Sequence, residues 1–374
     1  MNQMNSFPSM IEGLFFLKAV TFIFIEVALI YLIISSSNFY KFARFNLPNY
    51  VSTQKIHNGS ISRLGGGLIV FLLLLFVLTG DIHNSNYFLL KILSCFVPSF
   101  ILSMKEDIFF NTRPIHRLIT LLTSSFLILF IISDPLPDLS KIKVLTVLAN
   151  LPNLKIIFFA VALASISNGM NLIDGVNGLC SIVAISILAS LLSLSLLKHD
   201  FILSYDLTLV ICLILPFFIF NYPKGKIFLG DTGAYFFGFF ISIYTIFLFG
   251  RHQEINPWLA ILILIYPITE TIFTFSRRLF ARKKFYTPDL GHLHSVLFIY
   301  FSKIKNFSSR KANYLVLPSL CFFWLFPFSI VILNENNTFI ILMECLIFIL
   351  IYIIFYFTTL KKIHPYLNYL KRKI

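Results

Sequence analysis

Apolar residues run through this chain in long blocks, each close to the length that crosses a hydrocarbon core, with short polar segments between them. Read by length and flanking polarity, the pattern predicts about eleven spanning helices. They fall near 11–36, 64–79, 87–104, 115–133, 154–167, 178–198, 207–221, 233–250, 257–276, 314–333 and 338–360. One interruption stands out. Ser167–Leu179 carries Asn168, Asn171, Asp174 and Asn177 at three-residue spacing, with Gly169, Gly175 and Gly178 among them. At that spacing a helical face, or a half-unwound helix end, would present three amides and a carboxylate together. Polar groups at membrane depth are costly unless they face water or a ligand, so the patch is expected to hold an anionic, metal-bound substrate.

Composition agrees with the pattern. Of 374 residues 58% are hydrophobic and only 12% charged, which predicts an all-α, polytopic membrane protein and excludes an ordinary soluble domain. The N-terminus lacks the basic start and small-residue cleavage site of a signal peptide. Cys95, Cys180, Cys212, Cys321 and Cys345 lie in or beside apolar runs without paired spacing and read as small core residues. The 45 Phe are spread through the spans, as packing and lipid-facing side chains are. No internal repeat or low-complexity linker divides the chain, so 1–374 is expected to form one domain. Its motif-bearing core would be about 50–300, with C-terminal helices over 314–360.

The net charge of +14 would suit nucleic acid, but its distribution points elsewhere. With the N-terminus outside, the cytoplasmic segments are 37–63, 105–117, 168–177, 222–232, 277–313 and the tail 361–374. They hold 23 Lys and Arg, against four (Lys141, Lys143, Lys198, Arg251) on the other side. The positive-inside rule selects this orientation, with the C-terminus cytoplasmic, and no nucleic-acid partner is expected. Five of the 16 acids nevertheless sit in these inner segments: Glu106, Asp107, Asp174, Asp231 and Asp289. The outer acids (Asp81, Asp134, Asp138, Asp200, Asp206, Glu254, Glu335) are scattered singly and read as solvated loop charges. Glu26, Glu270 and Glu344 lie within apolar spans, and Glu270, just after Pro267, is the one expected to carry a function.

Each inner acid belongs to a compact motif. Lys55-Ile-His57 precedes Arg63-Leu-Gly65-Gly66-Gly67, a helix entry that could cradle phosphate or simply turn the chain. Adjacent Glu106 and Asp107 repel each other unless a cation or proton lies between, which suits a divalent metal or a general base; Arg113, His116 and Arg117 follow. Gly230-Asp231-Thr-Gly233 opens a span, and Asp231 is the best single ligand for a hard cation, which prefers one or two carboxylates with phosphate oxygens. His292 and His294, two apart in an irregular loop, do not form a helical zinc site but could both reach a diphosphate.

These motifs, in this order on five successive inner loops, resemble the polyprenyl-phosphate N-acetylhexosamine-1-phosphate transferases, the membrane enzymes that prime peptidoglycan and other envelope glycans. The resemblance rests on Arg63-Leu-Gly-Gly, Glu106-Asp107 with Arg117-Leu118, Asn168-x-x-Asn171-Leu-Ile-Asp174-Gly, Phe228-Leu-Gly-Asp231-x-Gly233 and His292-Leu-His294, and spans roughly 50–300. Where the family often has two aspartates this chain has Glu106-Asp107, and Ile115 stands in place of a basic residue. Gly-Asp-Thr-Gly ends in Ala234 and the His cluster in Ser295. These departures are similar to the branch that initiates O-antigen and other polysaccharides.

The resemblance implies an enzyme that moves a sugar-1-phosphate, an N-acetylhexosamine-1-phosphate in most of the family, from a UDP-sugar to undecaprenyl phosphate with release of UMP. This would occur at the cytoplasmic face of a bacterial inner membrane and initiate lipopolysaccharide O-antigen or related synthesis. It implies Mg²⁺, or Mn²⁺ in its stead, on Asp231 with Asp174 or Glu106, and Asp107 deprotonating or orienting the lipid phosphate. Asn168 and Asn171 would hold the nucleotide diphosphate, with Lys55, Arg63, Arg117, His292 and His294 on the phosphates. Direct attack by the lipid phosphate is favoured over a covalent enzyme intermediate, since an ionised phosphate needs little activation. A homodimer is compatible with this reading. The competing class is a transporter or lipid flippase, which would spread polar groups along a path open to both sides; here they gather on one face.

Overall fold

The computed structural model describes residues 6–35, 61–79, 84–132, 134–142, 145–149, 151–282, 291–331 and 337–371. Among them every regular element is helical. In chain order these are α1 (Ser6–Ser35), α2 (Gly65–Leu78), α3 (Asn84–Phe109), α4 (Pro114–Ile131), α5 (Thr146–Ala149), α6 (Pro152–Ile173), α7 (Leu179–Leu197), α8 (Phe201–Asn221), α9 (Gly230–Arg251), α10 (Trp258–Ile263), α11 (Ile265–Phe280), α12 (Leu293–Ile299), α13 (Ser309–Ser319), α14 (Cys321–Val331) and α15 (Thr338–Lys371). Eight of them, α1, α3, α4, α6, α7, α8, α9 and α15, are long and apolar enough to cross a membrane. α2 has only 14 residues, and the ninth and tenth apolar stretches each divide into two shorter helices, α10–α11 and α13–α14.

The helices run past the apolar limits that hydropathy sets. α3 continues to Phe109, which places Glu106 and Asp107 in its last turn, and α6 continues to Ile173, which makes Asn168 and Asn171 helical. A helix satisfies its own backbone, so polar side chains at its end do not stop it. The short helix α12, behind His292, falls outside the eleven stretches altogether.

α9 is the centre of the bundle. Every residue from Gly230 to Gly250 is buried, and the helix packs on α6, α3, α2, α7 and others. In lipid, the transfer of apolar surface does little to drive helices together; close packing does most of it. The aromatic side chains supply that packing: Phe240 stacks on Tyr244 at 4.2 Å, Phe96 meets Phe236 edge-on at 5.4 Å, and Phe88 meets Phe247 at 5.0 Å.

The far end of α9 corrects one expectation from the sequence. The acids there are not solvated singly. Arg251 holds Asp134 through two bonds of 3.0 and 3.2 Å and reaches Asp200 at 3.4 Å; Asp200 also meets His252 at 3.3 Å. Asp206 is buried and accepts a hydrogen bond of 2.6 Å from Tyr244. Partly buried charges at the end of an apolar bundle are only incompletely hydrated, and pairing compensates for the water they lose.

Candidate active site

At its other end α9 starts abruptly. Gly230 takes φ of +77°, and a Cβ there would lie 2.4 Å from the Arg63 carbonyl oxygen and 2.6 Å from Asp107 Oδ2, so only glycine fits. The preceding segment is tied to the entry of α2: Phe228 N donates to Ser62 O at 2.8 Å, and Gly65 N and Gly66 N donate to Phe228 O and Leu229 O at 3.1 and 2.8 Å. Two of the motifs are thereby laced together through their backbones.

Asp107 reaches across from α3 to this helix start. Its Oδ1 accepts the Asp231 amide at 2.7 Å and its Oδ2 the Thr232 amide at 2.9 Å, while Arg63 lies 3.3 Å from Oδ1. The carboxylate thus caps α9, satisfying two amides that have no partner within the helix and complementing its dipole. Asp231, in the first turn of α9, shares Arg63 with Asp107. Arg63 donates to its Oδ1 at 2.8 Å, and Arg117 of α4 donates to its Oδ2 in a short contact. Burial alone would push the Arg63 guanidinium down. The carboxylates of Asp107, Asp231, Asp174 and Glu106 more than offset this and hold it as a cation.

Asp174, at the C-terminal cap of α6, completes the acidic set. Its carboxylate makes no hydrogen bond among the described residues. Burial pushes its pKa up to about 7; Arg63 opposes the rise and Asp231 and Asp107 add to it. Asn171 and Asn168 are half-buried one and two turns back on α6. Glu106 turns aside to accept from the amide and hydroxyl of Thr112, at 2.8 and 2.6 Å.

The two histidines join from the far side of Asp174. A Cβ on Gly175 would fall 1.9 Å from His294 Nε2, so the His294 ring occupies the space a side chain would need. The ring is buried, which pushes its pKa down to about 3 and keeps it neutral, and it lies parallel to His292 with centroids 5.6 Å apart.

Asn177 does not share this face. Its side-chain amide donates to Pro223 O at 3.3 Å and its backbone amide to Asn313 Oδ1 at 3.1 Å. α6 has ended by then, so three-residue spacing no longer means a shared side. Lys55, like Asp289, lies outside the described residues.

Spacing alone did not reveal Thr112, Tyr352 or the capping role of Asp107. In the sequence Glu270 stands out only as an acid in an apolar run, just after Pro267; in the fold it pairs with His292 at 2.9 Å.

Among the described residues no group of three or more His, Cys, Asp or Glu side chains could enclose a metal ion by itself. The donors present do fit a hard cation bound partly by its substrate. The carboxylates of Asp231 and Asp107 resist ionisation of Asp174, a repulsion that a cation would relieve. Asp174 lacks a hydrogen bond among the described residues, and Mg²⁺ asks for only one or two protein oxygens beside phosphate and water.

A helical membrane bundle with a buried acid–arginine centre at one end defines a class of enzyme suited to bringing phosphorylated reactants together. Residues 89–249 match the family model described as Glycosyl transferase family 4. The chain is 27% identical over 247 residues to the probable undecaprenyl-phosphate N-acetylglucosaminyl 1-phosphate transferase of Bacillus subtilis, covering 65% of this chain and 67% of that one. It is 27% identical over 244 residues to the undecaprenyl-phosphate alpha-N-acetylglucosaminyl 1-phosphate transferase of Thermotoga maritima, covering 65% and 70%. With the phospho-N-acetylmuramoyl-pentapeptide-transferase of Lactococcus lactis the identity is 38% over 121 residues, 31% of this chain and 33% of that one. The chain is thus similar to glycosyl transferase family 4 over residues 89–249, and to these undecaprenyl-phosphate transferases over about two thirds of its length.

Proposed function

We propose that this enzyme transfers a sugar-1-phosphate, an N-acetylhexosamine-1-phosphate by analogy with its relatives, from a UDP-sugar to undecaprenyl phosphate and releases UMP. The product would initiate a cell-envelope polysaccharide of the O-antigen kind. An oxygen of the lipid phosphate forms a bond to the β-phosphorus of the donor; the bond from that phosphorus to the bridging oxygen breaks, and UMP leaves with the oxygen. The observation that carries this reading is the placing of Asp231 between Arg63 and Arg117 at the start of a fully buried helix.

Two anionic reactants repel each other, and fixed cations in a water-poor site offset that repulsion more than they would in bulk water. Arg63 and Arg117 supply those charges, and their bonds to Asp231 hold them in position before substrate arrives. Asp231 and Asp174 would hold Mg²⁺, which when bound would neutralise charge on the transferring phosphoryl group. Asp107, with both oxygens on backbone amides, fixes the frame on which Asp231 stands and orients the lipid phosphate only through that frame. Asn168, Asn171, His292, His294 and Lys55 would receive the nucleotide diphosphate. We place this end of the bundle at the cytoplasmic face of the inner membrane, and read all eleven apolar stretches as one membrane domain.

The test is UMP release by purified protein given undecaprenyl phosphate, Mg²⁺ and in turn UDP-GlcNAc, UDP-GalNAc and related donors. One donor should turn over, and Asp231→Asn should lower its kcat by about 100-fold or more. No turnover with any donor, or an unimpaired Asp231→Asn, would overturn the reading.

A further inference from the structure

Behind the two histidines lies a buried network that the reaction as described does not use. Glu270 of α11 is fully buried; its Oε1 lies 2.9 Å from His292 Nδ1, and its Oε2 accepts the Tyr352 hydroxyl at 2.7 Å. Thr274, one turn on, stands 3.3 Å from the same Nδ1. Tyr352 is itself fully buried and comes from α15, more than 100 residues past the end of the stretch matched by the family model.

A carboxylate can only accept, so each of these contacts fixes a proton: Nδ1 of His292 must donate to Glu270, and the Tyr352 hydroxyl must donate to the other oxygen. Such a second partner sets which ring nitrogen remains available and in which direction it points. The remaining nitrogen, Nε2, belongs to a ring held parallel to His294, and His294 is the residue that fills the space above Gly175 beside Asp174. An isolated acid buried in an apolar bundle would be costly; among the described residues Glu270 hydrogen-bonds to His292 and Tyr352 alone, so the bond it makes toward the site is to His292.

We infer that Glu270 and Tyr352 are positioning residues for His292. They lock its Nδ1–H away from the substrate and present Nε2 to the diphosphate, so the C-terminal helix is a working part of the site. This rests on the reading that His292 meets the donor diphosphate, and the experiment separates the two.

The variants are Glu270→Gln and Tyr352→Phe, both nearly isosteric, His292→Asn, which keeps a donor near the Nδ1 position but removes Nε2, and the doubles with His292→Asn. Each would be purified, checked by thermal unfolding, and assayed for UMP release. Glu270→Gln should lower kcat/KM by about 10–100-fold, as loss of a partner that orients a histidine does. Tyr352→Phe should lower it by about three- to tenfold, the weight of one hydrogen bond. His292→Asn should cost at least as much as Glu270→Gln, and neither second change should lower the rate further in its background. Glu270→Asp should recover part of the loss. Should Glu270→Gln fail to fold, Tyr352→Phe with and without His292→Asn decides the matter by the same criterion. A large effect of His292→Asn with near-normal Glu270→Gln and Tyr352→Phe would overturn the positioning role and leave the functional reading intact. Near-normal His292→Asn would overturn both the reading of His292 and the inference. Multiplying effects in the doubles would show that Glu270 acts other than through His292, and would overturn the inference alone.

Discussion

Asp107 accepts the backbone amide of Asp231 at 2.7 Å, so one acid of the site is the cap of the helix that carries the other. Its second oxygen takes the Thr232 amide, and its side chain is 1% exposed. The two residues stand 124 positions apart in sequence.

That relationship separates two roles for Asp107. As a cap, Asp107→Ala strands two buried amides, and each buried group left without a partner costs about 1–3 kcal/mol. Thermal unfolding in detergent should therefore show a clear loss of stability alongside the loss of UMP release. Asp107→Asn keeps one acceptor and should be less destabilised than the alanine variant. If either substitution abolished turnover with stability unchanged, Asp107 would be acting on the reactants and not through the frame.

Gly230→Ala is the companion test from the other side of the same contact. The added methyl would meet the Arg63 carbonyl and the Asp107 carboxylate, at a positive φ that L residues rarely adopt. Neither atom can yield without breaking the cap, so the strain of about 1–3 kcal/mol should appear in full as lost stability. Turnover should fall with it, because Asp231 would be displaced. Unchanged unfolding and kinetics would show that the helix start is more pliant than its packing indicates.

Much of this centre is legible in the sequence, and the reason is chemical. Acids are scarce in this chain, and those kept between basic residues at helix ends, Asp107, Asp174 and Asp231, have no topological reason to be there; the structure brings them together. Periodicity also placed Asn168 and Asn171 correctly, since α6 really does run through them. It failed at Asn177, three residues further, because the helix had already ended. What could not be read were pairings between distant segments. Tyr352 with Glu270 and Arg251 with Asp134 are separated by 82 and 117 residues, and nothing in the spacing along one helix encodes which other helix it will meet. The outer acids looked solitary for the same reason.

Asp174 gives the site a pH signature in the absence of metal. Its carboxyl titrates near 7 in the folded protein and near the ordinary value of about 3.9 when unfolded. Between these values the folded chain binds more proton than the unfolded one, so stability falls as pH rises through that window and levels off above it. In EDTA, wild type should accordingly lose ground to Asp174→Asn as pH is raised from about 4 to about 7, with a constant gap beyond. A gap that shrinks with pH, or none at any pH, would mean that Asp174 is ionised at no cost and that the three carboxylates do not repel as argued.

The orientation can be tested at the two ends of the bundle. Arg310 is exposed near Asn313, whose side chain bonds to Asn177 on the motif side, while Glu254 is exposed beside the Arg251 cluster at the opposite end. The proposed cytoplasmic segments carry 23 Lys and Arg against four in the others. An excess of that size orients membrane proteins because basic residues resist translocation and are drawn to the anionic inner leaflet. In a cysteine-free background, Glu254→Cys should react with a membrane-impermeant maleimide in intact cells. Arg310→Cys should react only once the membrane is opened. Labelling of the Arg310→Cys protein from outside would put the Asp107–Asp231 centre on the extracytoplasmic side. A UDP-sugar would then be out of reach, and the proposed donor class would fall with the topology.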